Sequence, residues 1–305
     1  ELINVFTQLK IKLDQEISEK RNAAVLQKYY MESLPFLQAN FYSTLIEGRL
    51  REEEIPGYLS DYQIALEGPF YCCLVIHTSS SRVPENMNPL LLAASVQKQA
   101  REHLGEKWQA KYFSYLGNTV LIAQLTSENE VPELTDECDR FCRYAQRIIG
   151  AVVTVGIGQV CEQLTGLSQS YSSAREAVSY RVIYGVSRAI NMKEIAPQEI
   201  SKSDGTQDTE LFTLFGMIRL NPREDIIEAV KRYLNHISYP AKSLQQYHID
   251  LMDLISALYR FAVNNDIDVP DFSGNIRNLY LRILDLEPEG LLAWLTQVAF
   301  CSGKP

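Results

Sequence analysis

The sequence has no hydrophobic run that approaches the roughly 20 residues needed to cross a bilayer, and it has no excess of positive charge. Its 305 residues include 29 basic and 38 acidic side chains, a formal net charge of −9 at pH 7. A field of this sign repels phosphate groups, so we expect no nucleic-acid-binding module and no anionic membrane as a partner within these residues. The hydrophobic fraction of 46% is typical of a folded globular protein, which excludes a disordered chain.

Cysteine and histidine are also scarce, with six and four residues. Six scattered cysteines are too few for a disulfide framework, so we predict a cytoplasmic protein. Cys138 and Cys142 can share a helix face, but no further Cys or His lies nearby to complete a tetrahedral metal site. Gly156 and Gly158 follow a predicted strand, but Cys161 stands where a dinucleotide loop needs its third glycine. We therefore predict no metal, no cofactor and no catalytic residues.

Glycine and proline are almost missing from the first 50 residues, which predicts long helices there. A narrow apolar seam recurs in steps of three or four at Leu2, Phe6, Leu9, Leu13 and Ile17. The seam weakens towards Gln27, so two alternatives stay open: packing on the chain's own domain, or a coiled coil with a second copy. We favour the homodimer. At Ser33-Leu34-Pro35 we predict the start of a second helix, because serine can cap a helix and proline suits its first turn.

The middle of the chain changes character, since residues 69–195 alternate short β-branched and aromatic runs with helical stretches. The predicted order is β-α-β-β-α-β-α-β, and its first six elements fit a ferredoxin-like plan with an antiparallel sheet. Two central strands, Trp108–Leu116 and Thr119–Leu125, are joined by Gly117-Asn118, which is a tight hairpin signal.

A polar segment, Pro197–Asp208, is the best linker candidate, and the chain beyond it is helical by pattern. The predicted fold class is α+β, with N-terminal signalling and dimerisation helices at 1–54, an α/β domain at 55–196 and a helical domain at 209–305. Within the last domain, we interpret Glu287-Pro288-Glu289 as a solvated helix end.

The segment Val152–Gly158, followed by Ala174–Ala177 and Gly185, resembles the last part of nucleotide-cyclase-like GGDEF domains. In that family the signature hairpin joins the two central strands, and active members place a metal-binding Asp just after the first strand. This chain has Gly117-Asn118-Thr119 at the hairpin and His77-Thr78-Ser79 after the strand. The resemblance implies a degenerate, noncatalytic cyclase fold, because Mg²⁺ and a triphosphate need carboxylates.

The flanking segments Ser33–Gln38, Leu45–Arg49 and Leu66–Tyr71 resemble the central region of AraC-type response regulators of the YesN kind. In those two-component proteins a receiver and a long helix precede the degenerate domain, and a DNA-binding domain follows. The resemblance implies a noncatalytic relay and dimerisation region cut from between these ends, which contacts DNA only through a missing domain. Two rivals stay open: a domain that senses an unidentified effector, with which the 17 tyrosines are compatible, and a surviving nucleotide-processing enzyme.

Overall fold

The structure is a computed structural model that describes residues 2–79, 88–104, 107–195, 211, 213–218, 223–238, 243–265, 267–272 and 276–302. Side chains of the N-terminal helix are described from residue 22 onward. The fold is of the mixed α+β class, with a five-stranded sheet and helices at both ends of the chain.

One uninterrupted helix, α1 (Leu2–Ile46), forms the N-terminal region. The break predicted ahead of Pro35 is therefore wrong, since Pro35 lies inside α1. Its ring removes the hydrogen bond that a backbone N–H would donate to the Met31 carbonyl, and it crowds that carbonyl. The side chains of Leu34 and Phe41, on either side of Pro35, are buried, and this packing stabilises the helix on both sides of the proline.

The α/β part follows α1 and contains one more helix before its sheet. Its elements are α2 (Ile55–Asp61), β1 (Phe70–Thr78), α3 (Pro89–Leu104), β2 (Lys111–Tyr115), β3 (Asn118–Leu125), α4 (Val131–Tyr144), β4 (Val153–Ile157), α5 (Leu167–Ser179), α6 (Arg181–Tyr184) and β5 (Ala189–Asn191).

The strand order is β2-β3-β1-β4-β5. The first four strands pair antiparallel, which is the predicted ferredoxin-like arrangement. Strand β5 pairs in parallel with β4, so the sheet is mixed and the prediction of a purely antiparallel sheet needs correcting for this strand. The reason is the crossover through α5 and α6, which returns the chain to the same end of the sheet before β5 begins.

Strand β1 is central, and its alternating side chains divide the core into two layers. Cys72 and Leu74 pack in the layer beneath α3 and α4. Tyr71, Cys73 and Val75 point to the other face, where α5 and the C-terminal part of α1 cover them. Both faces of the sheet are therefore closed, and the ends of the strands are the places where polar groups meet.

The C-terminal region is helical. It comprises helical residues at 211 and 213–218, α7 (Arg223–Ser238), α8 (Leu244–Asn264), α9 (Ile276–Leu284) and α10 (Pro288–Ser302). These helices share a core of their own, to which Val182 of α6 also belongs. The predicted linker, Pro197–Asp208, lies outside the described residues. In the described part of the chain, no helix is both long and apolar enough to span a membrane.

Candidate functional site

The hairpin between β2 and β3 turns through Leu116 and Gly117. Tyr115 pairs with Asn118, so Asn118 begins β3 instead of lying in the turn as predicted, and Thr119 is buried in the strand. The φ angles of Leu116 and Gly117 are +46° and +78°, as a two-residue type I′ hairpin requires. For a leucine this conformation costs roughly 1–2 kcal/mol. The turn thus combines a strained, exposed leucine with a glycine, and it carries no acidic side chain.

His77 lies beside this hairpin, near the end of β1. Its Nδ1 is 3.0 Å from Oδ1 of Asn118, and because an amide oxygen only accepts, Nδ1 donates. Burial, with the nearby charge of Arg181 as the second cause, lowers the pKa of His77. The hydrogen bond to Asn118 and the charges of Asp285 and Glu287 act in the opposite direction and are outweighed. The imidazole is therefore neutral at pH 7.

Ser79, just after β1, contacts the helical domain. Its hydroxyl donates to Oε1 of Glu287 at 3.0 Å, across 208 positions of sequence. Glu287 was predicted to be a solvated helix end; it is instead half-buried, because the turn between α9 and α10 packs against the end of β1. Asp285 of the same turn forms an ion pair with Arg181 of α6. The helical domain thus supplies the carboxylates beside His77.

The end of α1 meets the other side of the hairpin. Glu47, the residue after α1, accepts a hydrogen bond of 2.5 Å from the Tyr115 hydroxyl and pairs with Arg49 at 3.0 Å. The bond to Glu47, more than burial, raises the pKa of Tyr115. The Tyr115 ring also packs edge-on against Tyr171 of α5, with ring centres 5.5 Å apart. The hairpin therefore joins α1 to the sheet.

We call this polar cluster at the end of β1 the β1 corner. It comprises His77, Ser79, Asn118, Arg181, Asp285 and Glu287. The structure therefore brings together the two segments that the sequence singled out, after the first strand and at the hairpin. Sequence analysis missed Arg181 and Asp285, because their places in the cluster depend on how the helical domain packs and no local pattern signals that.

The two glycines at the end of β4 have a packing role. A Cβ atom on Gly156 would lie 2.1 Å from the carbonyl oxygen of Ala174, and one on Gly158 would lie 2.0 Å from that of Ser170. Helix α5 crosses β4 too closely for any larger residue. The close packing of α5 on β4 is therefore sufficient to explain Gly156 and Gly158, and a dinucleotide-binding role is not needed to explain them.

The cysteine pair of α4 faces the core. Cys138 and Cys142 are both fully buried, and burial raises the pKa of Cys142 to about 12. Protonated thiols of this kind are poor metal ligands, since metals bind the thiolate. Across the described ranges, no group of three or more His, Cys, Asp or Glu side chains could hold a metal ion.

The predicted dimerisation seam lies on the N-terminal half of α1. The backbone is helical at Leu2, Phe6, Leu9, Leu13 and Ile17, and the side chains of these residues lie outside the described part of the structure. Nearer the domain, Leu26, Tyr29 and Phe36 are exposed. The helix thus carries apolar side chains into solvent before it reaches the sheet.

A small cleft of about 150 Å³ opens beside β5. Its polar lining includes Arg188, Asn191 and Glu194. Small-molecule sites usually enclose about 300–1,000 Å³, so this cleft suits only a small polar ligand.

Comparison with known families identifies one region of the chain. A family model described as a GGDEF-like domain matches residues 47–180, from the end of α1 to the end of α5, and the match includes His77 and the hairpin. No curated protein matches the chain. The protein therefore contains a GGDEF-like domain, and the β1 corner lies where that domain meets the C-terminal helices.

Proposed function

We propose that this chain is the noncatalytic signal-relay and dimerisation region of a bacterial transcription regulator of the AraC-type, YesN-like kind. In this proposal it connects a receiver-type input domain to a helix-turn-helix DNA-binding domain. The observation that supports it best is the β1 corner, because one short series of contacts there runs from the end of α1 to the helical domain.

The contacts follow one another across the GGDEF-like domain. Glu47 at the end of α1 bonds to Tyr115, Tyr115 pairs with Asn118 across the turn, and Asn118 bonds to His77. Two residues further along the chain, Ser79 bonds to Glu287. A displacement of α1 would therefore bias the position of the helical domain, which is what a relay between two states needs.

The core beneath α1 makes this coupling stiff. Tyr42 is buried, and its ring centre lies 5.4 Å from that of Phe113 on β2. Because packed cores resist gradual deformation, a shift of α1 must carry β2 and the hairpin with it.

The Tyr115 hydroxyl is the most direct place to test the relay. We expect Y115F to remove the bond to Glu47 and to increase amide hydrogen exchange both at the hairpin and in the turn between α9 and α10. The control is Y29F, which removes an exposed hydroxyl on α1, away from the hairpin. An increase confined to the hairpin would contradict the relay.

The noncatalytic part of the proposal rests on the side chains of the β1 corner. Its GGDEF-like segments offer an imidazole, a hydroxyl and an amide, whereas Asp285 and Glu287 are already bonded to Arg181 and Ser79. Holding Mg²⁺ against a triphosphate needs free carboxylates. We expect no turnover of GTP or ATP with Mg²⁺ or Mn²⁺ by chromatography. Product that disappears in N118A would instead favour the enzyme.

The cleft beside β5 makes effector sensing the second candidate. A ligand that binds the native state raises the apparent melting temperature by mass action. A small polar compound that stabilises the wild type but not R188A would favour this alternative over a purely mechanical relay.

A further inference from the structure

The cleft beside β5 contains one positive and one negative side chain that do not pair with each other. Arg188 directly precedes β5 and Glu194 follows it, and both line the cleft. Neither residue forms an ion pair within the described part of the chain. Opposite charges attract each other, so other contacts must hold these two apart.

Neutral groups hold each of the two charges in place. Nη1 of Arg188 donates to the Tyr184 carbonyl at 3.1 Å, and the other N–H groups of the guanidinium remain for a ligand. Nδ2 of buried Asn191 donates to Oε1 of Glu194 at 3.2 Å. Asn191 is itself fixed, because its Oδ1 accepts from the backbone N–H of Lys193 at 3.0 Å. Among the described residues, no group bonds to the second carboxylate oxygen of Glu194.

Two neighbouring charged side chains pair elsewhere, and neither lines the cleft. Lys193 pairs with Glu128 at 3.3 Å. Asp139 accepts a hydrogen bond from the backbone N–H of Ala189 and pairs with Arg143 at 3.1 Å. The cleft therefore presents one charge of each sign. A ligand with a single charge meets a like charge there, whereas a ligand with both charges is complementary to the cleft.

The size of the cleft limits the length of such a ligand. Its volume is about 150 Å³, and a cavity of this volume holds a molecule the size of benzene, with about six non-hydrogen atoms. A carboxylate and an ammonium group supply most of these atoms, so only a short carbon chain can join them. Ile190 and Ile195 line the same cleft and offer apolar contacts to that chain.

We propose that the cleft beside β5 binds a small zwitterion, a free amino acid the size of alanine, whose carboxylate bonds to Arg188 and whose ammonium group bonds to Glu194. The biological role of this site rests on effector sensing, the second candidate function, and is independent of the relay. Tyr184 and Ile195 of the cleft wall belong to the same apolar cluster as Leu244 at the start of α8. A bound zwitterion would therefore stabilise the packing of α8 on the GGDEF-like domain.

Three probes of equal size test which charges the site recognises. L-alanine carries both charges, isobutyrate lacks the ammonium group, and L-alaninamide lacks the carboxylate. They are titrated into the full chain by isothermal titration calorimetry at about pH 6.5, where the amino groups are protonated. We expect L-alanine to bind about tenfold more tightly than either other probe, or better. Equal affinities for all three probes, or no saturable binding of L-alanine, would overturn the proposal.

Substitutions in the cleft test where the two charges bind. R188Q and E194Q each remove one charge and should weaken the binding of L-alanine about tenfold or more. R101Q is the matched control for R188Q, because Arg101 also donates to a backbone carbonyl, that of Tyr112 on the opposite edge strand β2. E162Q removes an exposed carboxylate away from the cleft. Both controls should bind L-alanine like the wild type, and equal losses in all four variants would overturn the proposal.

Amide hydrogen exchange separates binding from sensing. Slower exchange at the start of α8 when L-alanine binds the wild type, but not R188Q, would support both the site and effector sensing. Binding without any change in exchange at α8 would support the site and contradict effector sensing. If L-alanine does not bind but another compound stabilises the chain, the zwitterion site is overturned and effector sensing stands.

Discussion

The GGDEF-like domain joins its two neighbours through different kinds of contact. At the N-terminal junction, Phe41, Tyr42 and Leu45 of α1 are buried in the same layer as the sheet. At the C-terminal junction, a smaller apolar contact around Val182 and Tyr247 is bordered by hydrogen bonds and ion pairs. Bonds of the second kind exchange with water at little net cost. We therefore expect α1 to move together with the domain, and rearrangement to occur at the C-terminal junction.

The strongest test of this difference removes an aromatic ring from the N-terminal junction. Phe41 is 2% exposed, so F41A should lower the free energy of unfolding by about 3–5 kcal/mol in denaturant titrations. F36A is the matched control, because Phe36 on the same helix is 76% exposed, and it should change stability by no more than about 0.5 kcal/mol. Equal effects would mean that α1 does not contribute to the core.

A smaller effect is expected from the pH dependence at the β1 corner. The pKa of His77 is lowered in the folded protein, whereas the pKa of an unfolded histidine is about 6.5. Between these two pKa values the unfolded chain binds more protons, so stability falls as the pH decreases through that window. H77Q can still donate to Asn118 and should lose less stability between about pH 7 and pH 5.5.

The comparison variant for this pH test is H248Q. Burial also lowers the pKa of His248, so His248 should also contribute to the loss of stability at low pH. H248Q should remove the contribution of His248 and leave that of His77 in place. Unfolding followed by far-UV circular dichroism at each pH measures both variants. If H77Q and the wild type have identical profiles of stability against pH, the surroundings of His77 do not lower its pKa.

The smallest effect on global stability is expected at the C-terminal junction. E287A removes the acceptor of the Ser79 hydroxyl, and because this carboxylate is half exposed to water, we expect the loss to be only about 1 kcal/mol. Hydrogen exchange should nevertheless increase at the start of α10, since the junction opens without unfolding the core. E162Q, which changes an exposed carboxylate, should leave exchange there unchanged. If E287A lowers the free energy of unfolding by as much as F41A does, the two junctions do not differ in the way that we expect.

Local patterns predicted most of the α/β part, because alternation and helical spacing act over a few residues. The hairpin was expected between the correct strands, but its register was wrong by one residue, since Leu116 adopts a conformation that leucine disfavours. The continuity of α1 was missed for a related reason. Proline usually interrupts a helix, and burial of the neighbouring side chains outweighs that tendency at Pro35.

By itself, the sequence determined which chemical groups are present at each strand end: an imidazole and a hydroxyl after β1, and an amide at the hairpin. It also determined that the central strand is buried on both faces, because the run Phe70–Ile76 is apolar without interruption and successive side chains point to opposite faces. Only the tertiary structure decided that Glu287 meets Ser79 and that Asp285 meets Arg181. Residues so distant in sequence come together only when two separately packed cores dock. The local hydrophobic pattern of the sequence does not determine how the two cores pack against each other.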